Sequence, residues 1–245
     1  MRLRRILPIA AVLPALFATS ACSGASDESG KSSGKPEASA SAGGAEQAAR
    51  KAEAEAKRIG AVGPAALTKL TLTGKAAGFD ARTVPAGQTE AGREMKADKA
   101  ACQPLASLAG GYTHLPSVGV EHRSLDPLEA KNATVGSMWV VSHSPQDAQR
   151  VMSDLRTSLK ECPKGFKTLG LAYTDVRAVP APKLGDETVG YRITNVVGKQ
   201  NVSMTYTVVR AGGLIAAFYG VNMLTPDHSA IPEPLVRAQL ERLKG

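Results

Sequence analysis

Apolar residues recur at intervals of three and four positions between residues 145 and 162. This spacing places them on one face of a helix, and they are Ala148, Val151, Met152, Leu155, Leu159 and Cys162. Ser144 is a favourable N-cap residue, Pro145 suits the first helical position, and Asp147 lies three residues after the cap. The pattern predicts a helix that starts after Ser144 and carries Cys162 on the buried face of its last turn.

Apolar and polar residues alternate in the last third of the chain, which is typical of half-buried strands. Val202, Met204, Tyr206 and Val208 fall on one face of such a strand, with a serine and two threonines opposite. Glycine-containing segments on either side of this strand predict turns. We therefore expect an antiparallel meander, packed on one face and polar on the other, formed by residues 188–197, 202–211 and 214–221.

Shorter segments complete the predicted fold. Strands are expected at residues 67–74, 79–85, 118–125 and 134–143, and helices at residues 90–110 and 232–243. Together these elements predict an α+β domain in which helices pack on one face of an antiparallel sheet.

The first 22 residues have the three-part pattern of an export signal. Arg2, Arg4 and Arg5 precede an apolar run that is too short to span a membrane stably, and small residues then lead to Cys22. This arrangement resembles the bacterial lipobox, in which the chain is cut before a cysteine whose thiol takes a lipid. The sequence departs from that pattern at Thr19, where leucine is usual. The alternative is an ordinary signal peptide with a nearby unpaired cysteine.

These features predict three regions. Residues 1–21 are expected to be a lipoprotein signal peptide, residues 22–63 the lipidated Cys22 and a flexible or helical tether, and residues 64–245 the folded domain. The tether is rich in Ser, Gly, Ala and Lys, and its helix-forming part at residues 45–58 has no apolar stripe. The predicted location is the extracytoplasmic face of the cell membrane, with the lipid anchor holding the protein to that membrane.

Two cysteines remain if Cys22 is lipidated. Export to an oxidising compartment makes a disulfide the expected state of Cys102 and Cys162, and two buried thiols are the alternative. Neither cysteine has a histidine or an acidic pair beside it at metal-ligand spacing. The sequence therefore predicts one disulfide and no metal site.

Composition argues against a nucleic-acid partner. The 245 residues carry a formal net charge of +8, to which the three arginines of the signal contribute, and they include one Trp and four Phe. A nucleic-acid platform needs aromatic side chains interleaved with a basic stripe, and the sequence has no such pattern. The mild positive charge suits an anionic envelope or membrane surface, or serves solubility alone.

The residues that could carry chemistry have simpler explanations. His114, His122, His143 and His228 are scattered, so we expect surface or strand-end positions for them. Ser142, His143, Ser144 and Asp147 are neighbours in sequence, but triad groups must converge in space, and helix capping accounts for Ser144 and Asp147. No nucleotide-binding or hydrolase motif occurs. The sequence predicts no catalytic residue, no cofactor and no enzyme activity.

One family shares this order of elements. The segments CQPLASLAG, MWVVSHSPQDAQRVMSDLRTSLKECPKGF, YRITNVV and VVRAGGLIAAFYG, spread over residues 97–245, resemble the PknH-like extracellular sensor domain of actinobacteria. The resemblance implies an antiparallel sheet with helices on one side and a cleft for an unidentified ligand. Such domains occur outside Ser/Thr kinases and as free-standing lipoproteins. The kinase sensors are expected to hold two disulfides where this chain has one cysteine pair, so no binding residue is carried over.

Three functions remain open at this stage. The first is a membrane-anchored lipoprotein with a non-catalytic ligand-binding or sensing domain for an unknown small-molecule or envelope ligand. The second is a carrier of a lipid or apolar small molecule at the membrane face, and the third is a cell-envelope hydrolase with unrecognised residues. A binding surface is expected on the groove beside the central helix or on the polar face of the meander, at Arg192, Thr194, Thr205 and Thr207.

Overall fold

The computed structural model describes residues 38–198 and 200–244. The predicted signal peptide and Cys22 lie outside the described residues. Two hydrophobic clusters, one on each face of a central sheet, account for most of the buried apolar side chains.

In the part of the chain that the structure describes, the sheet has nine strands, and every neighbouring pair is antiparallel. Its spatial order is β1-β2-β3-β4-β9-β8-β7-β6-β5. The strands are β1 (Gly74–Ala76), β2 (Phe79–Thr83), β3 (Gly119–Pro127), β4 (Thr134–Ser142), β5 (Phe166–Thr168), β6 (Leu171–Val179), β7 (Glu187–Val197), β8 (Gln200–Ala211) and β9 (Leu214–Asn222). The antiparallel α+β class and the meander of β7, β8 and β9 are confirmed.

Within the described residues, six α-helices surround or precede the sheet. They are α1 (Ala38–Ile59), α2 (Pro64–Leu70), α3 (Glu90–Arg93), α4 (Gln103–Ala109), α5 (Pro145–Glu161) and α6 (Glu233–Arg242). The cap predicted for α5 is present, because the Asp147 backbone N–H donates to Ser144 Oγ at 3.1 Å. None of the helices in the described ranges combines the length and apolar character needed to cross a bilayer.

Some predicted elements differ from the structure. Residues 67–74, expected as a strand, contain the end of α2, because Pro64 starts a helix whose Leu67 is buried. Strands β5 and β6 were not predicted. A register shift between Thr174 and Arg177 interrupts the alternation of β6, so its pattern of apolar residues is obscured.

Helices cover both faces of the sheet, which corrects the prediction that they pack on one face. Helices α4 and α5 pack on the face that carries Trp139 and Val141, here called the disulfide face. Helices α2 and α6 pack on the opposite face, which carries Met138 and Val140. The physical reason lies in the central strands, where consecutive apolar residues such as those at 138–141 present hydrophobic side chains to both sides.

The predicted disulfide joins Cys102 and Cys162, whose Cα atoms are 5.9 Å apart. It links the start of α4 to the end of α5. Two hydrogen bonds support the same junction, from Ser158 Oγ to the Ala101 carbonyl and from the Lys167 N–H to Asp98 Oδ1. The bond closes a loop with a sequence separation of 60, so chain-entropy reasoning gives roughly 4 kcal/mol of stabilisation.

Candidate ligand-binding cleft

The disulfide face is covered by helix only in part. Helix α5 packs on the apolar side chains near the ends of β4 and β9 that carry Val141 and Ile215. Further along these strands Tyr219 and Val221 are only partly buried. An open corner therefore remains on this face, over β4 and β9.

Aromatic rings form the floor beside this corner. The Tyr191 and Tyr206 rings stack at 4.6 Å, and Tyr206 and Tyr219 stack at 5.6 Å. Trp139 approaches Tyr219 at 6.2 Å in a tilted arrangement and Tyr206 at 6.4 Å edge to face. These rings come from adjacent strands, where cross-strand neighbours face each other. Ring contacts of this kind are favourable beyond simple burial, so the floor is well ordered.

A wall rises on one side of the floor, formed by residues 84–95 and here called the cleft wall. It contains a 3₁₀ turn at Ala86–Gln88 and helix α3. The Val84 N–H donates to the His122 carbonyl at 3.2 Å, and Tyr112 Oη donates to Thr89 Oγ1 at 3.1 Å. The Arg93 guanidinium lies 4.4 Å from the Tyr112 ring centre. These contacts fix the wall beside β3.

Two glycines let the cleft wall approach the end of α4. A Cβ atom added to Gly92 would lie 1.9 Å from the Gly110 carbonyl oxygen, and one added to Gly110 would lie 2.2 Å from the Gly92 carbonyl oxygen. No larger residue fits either position without displacement of the backbone. The width of the cleft therefore depends on this glycine pair.

Two adjoining cavities lie between the wall and the floor, and together they are called the cleft. The inner cavity, about 330 Å³, is lined by Met95, Trp139 and Tyr219 among others. The outer cavity, about 290 Å³, is lined by polar residues that include Glu90, Arg93 and Glu121. Both cavities share Val84, Thr89 and His122. Ligand sites in proteins begin at about this size and are mainly apolar with a few polar groups.

The inner cavity contains a side chain with unused hydrogen-bonding capacity. Trp139 is fully buried, and its indole Nε1–H has no hydrogen-bond partner within the part of the chain that the structure describes. An unsatisfied buried donor costs on the order of 1–3 kcal/mol. The Trp139 ring borders the inner cavity, and the indole nitrogen itself is enclosed by protein.

His122 lies opposite Trp139 on the neighbouring strand and borders both cavities. Its Nε2–H donates to the Gly111 carbonyl at 2.7 Å, and its ring meets the Tyr112 ring edge to face at 5.0 Å. Burial lowers the pKa of His122, and the nearby Arg93 acts in the same direction against the opposing effect of the Gly111 hydrogen bond. The imidazole is therefore neutral at pH 7 and acts as a positioned polar surface.

The mouth of the cleft carries one available cation. Arg93 is exposed and takes part in no ion pair among the described residues. The buried Arg123 is different, because its guanidinium donates to Glu121 Oε2 at 2.9 Å and to the carbonyls of Leu72 and His122. The cleft thus combines a largely apolar inner end with a charged outer end, where Arg93 shares the lining with Glu90 and Glu121.

A larger cavity of about 470 Å³ lies elsewhere, between α6 and the turns before β7 and β9. Most of its charged side chains pair with one another or with neighbours: Asp186 with Arg210, Arg237 with Glu233, and Lys244 with Glu241. Lys183 is the exception among the described lining residues. Because these charges are largely neutralised by their partners and no aromatic side chain lines the cavity, it offers an amphipathic ligand fewer specific contacts than the cleft does.

The histidines have structural roles that the sequence did not predict fully. His143 follows the end of β4 as expected, but it is buried, and it donates from Nδ1 to the Pro116 carbonyl and accepts at Nε2 from Thr113 Oγ1. His122 lies within β3, which corrects the expected surface or strand-end position. His114 bonds to Asp154 at 2.8 Å.

The residues at 142–147 do not converge into a triad. Ser142 Oγ donates to the Val62 carbonyl, and Ser144 and Asp147 cap α5. His143 points to Pro116 and Thr113 instead. Because Val62 also donates its N–H to Ser142 Oγ at 3.0 Å, the segment predicted as tether is bonded to the sheet at its end.

The predicted polar face of the meander is not an open surface. Thr205 and Thr207 are buried, and Thr205 Oγ1 shares a hydrogen bond with Ser229 Oγ at 2.7 Å. Arg192 pairs with Asp227 at 2.8 Å. The chain after β9 returns over these threonines, which was not visible in the strand pattern. The groove beside the central helix is not the cleft either, since α5 contributes no lining residue to it.

The comparisons with known proteins place few constraints. No protein-family model matches the sequence, and a search of curated proteins finds no significant match. Among solved structures, the extracellular domain of PknH from Mycobacterium tuberculosis is similar with a TM-score of 0.39 and 12% identity, over 75% of this chain and 95% of that one. An uncharacterised protein from Mycobacterium smegmatis, an Rv0999 ortholog, has a TM-score of 0.30 and 18% identity, over 66% and 75% of the two chains. These are distant likenesses of overall fold, and no residue role is transferred from either protein.

Proposed function

We propose that this protein is a lipid-anchored extracytoplasmic protein whose domain binds an amphipathic, anionic small molecule in the cleft without transforming it. The observation that carries the proposal is the cleft itself, where Trp139 has an unpartnered indole N–H at the apolar end and Arg93 lies at the open end. The ligand's apolar part would lie against Met95 and Tyr219. Its acidic group would meet Arg93.

The proposed ligand class follows from the two ends of the cleft. Burial of an apolar group stabilises a complex by about 25 cal/mol per Å² of area removed from water. The inner cavity can bury such a group. An exposed arginine adds specificity for an anion more than affinity. A sensing role, as in the PknH-like domains that the sequence resembles, and a carrier role both need such a site.

The sole tryptophan of the chain makes this site directly measurable. Trp139 lies in the cleft and is the only Trp in the sequence, so its fluorescence reports on the inner cavity alone. Laurate, titrated below its critical micelle concentration, is expected to change this fluorescence saturably. Acetate has the charge without the chain and should produce no change at the same concentrations.

Variants test whether the laurate occupies the cleft. Arg93→Gln is expected to weaken laurate binding, while the matched variant Lys96→Gln removes an exposed cation that lines neither cavity and should leave binding unchanged. The proposal fails if laurate leaves the Trp139 emission unaltered, or if both variants bind laurate as the unaltered protein does.

Membrane anchoring rests on separate support. The export signal and Cys22 support acylation, and the pairing of Cys102 with Cys162 suits an oxidising compartment. Metabolic labelling with a tritiated fatty acid in a bacterial host should label the protein, and Cys22→Ser should abolish the label. Retention of label in the Cys22→Ser variant would overturn the anchor.

A further inference from the structure

Exposed apolar side chains concentrate at one end of the sheet. Among the described residues, Leu128, Val135, Met223 and Leu224 are 45%, 49%, 59% and 80% exposed. These four residues, here called the apolar tip, lie in the β3–β4 loop, at the start of β4 and just after β9. The other exposed large hydrophobics, Leu169 and Leu171, belong to the β5–β6 hairpin, which the strand register places at the same end of the sheet but at its far edge.

The strand register brings the four residues together. Thr134 pairs with Asn222 and Val135 with Val221, so Met223, the residue after β9, lies near the start of β4. The Leu128 N–H donates to the Gly78 carbonyl at 2.9 Å just beyond the end of β3. Because β3, β4 and β9 are neighbours, the strands that carry the tip span only about 10 Å.

Buried polar groups hold the tip in its exposed position. Asn222 is buried, and its Oδ1 accepts from the backbone N–H groups of Leu224 at 3.0 Å and Thr225 at 2.8 Å. Its Nδ2 donates to Thr134 Oγ1 at 3.0 Å, which in turn donates to the His228 carbonyl. A side chain that bonds its own following backbone in this way fixes a turn. The Met223–Leu224 pair is therefore presented to the outside by a fixed backbone.

We propose that the apolar tip inserts into the surface of the lipid bilayer. Four side chains cover far less than the ~800 Å² that each partner of a stable protein complex buries. Insertion to a depth of about 5–10 Å among lipid headgroups needs only a few apolar residues. A bilayer is therefore the partner that matches a small and prominent apolar surface.

The tip is within reach of the membrane under the anchoring proposed above, on which this step rests. The 16 residues from Cys22 to Ala38 can span at most ~55 Å, at ~3.3–3.6 Å per residue. Helix α1 has 22 residues and adds up to ~33 Å. Strand β4 has nine residues and is about 30 Å long. The reach exceeds the length of the sheet, so either end of the domain can meet the bilayer.

The tip is also continuous with the cleft. Tyr219 and Val221 alternate along β9 on the disulfide face, Val135 lies opposite Val221, and Met223 follows directly after the strand. The first of these residues lines the inner cavity and the last belongs to the tip. An apolar strip thus leads from the membrane-contacting end to the ligand site, as a molecule drawn from the bilayer would require.

Vesicle co-sedimentation tests the proposal. The probe is a phosphatidylcholine vesicle, and the protein is the full mature chain with Cys22→Ser, which removes the lipid anchor. This chain is expected to bind the vesicles, and Met223→Asp/Leu224→Asp should lower the partition coefficient by about tenfold or more, because two apolar side chains would no longer insert. The matched control, Leu169→Asp/Leu171→Asp, removes two exposed leucines outside the tip and should bind within about twofold of its parent.

Charge should matter little in this assay. Lys131 pairs with Glu129 at 2.9 Å and Arg192 with Asp227 at 2.8 Å, so the charges nearest the tip are balanced. Vesicles containing phosphatidylglycerol are expected to bind the protein as phosphatidylcholine vesicles do. Binding to the anionic vesicles alone, with loss at high salt, would assign the contact to the overall basic charge and overturn the proposal.

Three further results would also overturn it. The first is that the Cys22→Ser chain does not bind vesicles, and the second is that the tip variant and its control bind equally. The third is a concentration-dependent dimer that forms without vesicles and that Met223→Asp/Leu224→Asp abolishes. The last result would assign the tip to contact with a second copy. None of these results depends on acylation or on Trp139 fluorescence. Failure of the membrane-insertion proposal is therefore distinguishable from failure of the proposed lipid anchor or of the proposed ligand site in the cleft.

Discussion

The helix-covered part of the disulfide face and the cleft beside it are built on the same strands. Val141 and Trp139 lie two residues apart on β4, and Ile215 and Tyr219 lie four apart on β9, all on the same face. Under α5 the exposed fraction of Val141 and Ile215 is zero. Beyond α5, Tyr219 borders open space.

The difference between the two regions comes from the elements that cover the sheet. Under the helix the side chains are mainly aliphatic and close-packed, and they contribute stability. Between the end of α4 and the cleft wall, where no helix covers the sheet, the side chains on this face are aromatic and carry polar groups. The end of the cover, more than the strand sequence, creates the cleft.

The disulfide should give the largest effect on the covered region. The double variant Cys102→Ala/Cys162→Ala releases the ends of α4 and α5, and we expect the free energy of unfolding to fall by roughly 4 kcal/mol. Urea denaturation of the exported protein measures this change. A loss below about 1 kcal/mol would mean that packing alone holds α5 on the sheet.

Truncation beneath α5 comes next. Leu155 is fully buried in the covered region, so Leu155→Ala should lower the free energy of unfolding by about 3 kcal/mol. Leu159→Ala, at a partly buried position on the same helix, should cost less than half as much. Equal costs at the two positions would contradict the close packing that we assign to the covered region.

Gly92→Ala tests the cleft, the second of the two regions of the disulfide face. Its added methyl group would collide with the Gly110 carbonyl and displace the cleft wall, so we expect about tenfold weaker laurate binding and a stability loss of about 1–3 kcal/mol. Gly87→Ala lies in the same wall with nothing within 4 Å of the added atom and should bind laurate normally. Trp139 fluorescence titrations compare the two, and equal affinities would show that the wall does not shape the site.

The smallest effect expected is a pH dependence of stability. Burial lowers the pKa of His143, whose ring accepts from Thr113. The unfolded state therefore takes up a proton first as pH falls below about 6.5, and stability declines from there until the folded-state pKa is passed. Urea unfolding between pH 7 and pH 5 should show a decline that is shallower in His143→Gln. An unchanged slope would assign the dependence to His122, whose pKa is also lowered.

Sequence patterns predicted the local features of this fold well. Short-range or compositional patterns indicate helix α5, its Ser144 cap, the β7–β9 meander and the cysteine pair. The two-sided cover was missed because apolar runs at 138–141 and 214–218 were interpreted as one-sided strands. A continuous apolar run is itself the sign of a strand buried on both faces.

The cleft left almost no signal in the sequence. Gly92 and Gly110 are 18 positions apart, and nothing in either segment indicates that their backbones touch. The one available sign was Trp139, the single indole of the chain, within the apolar run of β4. Thr205 and Thr207 were predicted to be exposed, but the chain after β9 folds back over them through Ser229. Such long-range contacts follow from tertiary structure alone.

Mass spectrometry of the exported protein, run under native and denaturing conditions, tests the central claim most directly. We expect a mass excess that disappears on denaturation and that is absent or greatly reduced in Gly92→Ala but retained in Gly87→Ala. The released molecule should be an amphipathic acid. A bound molecule of equal occupancy in Gly92→Ala and in the unaltered protein would contradict the assignment of the ligand site to the cleft.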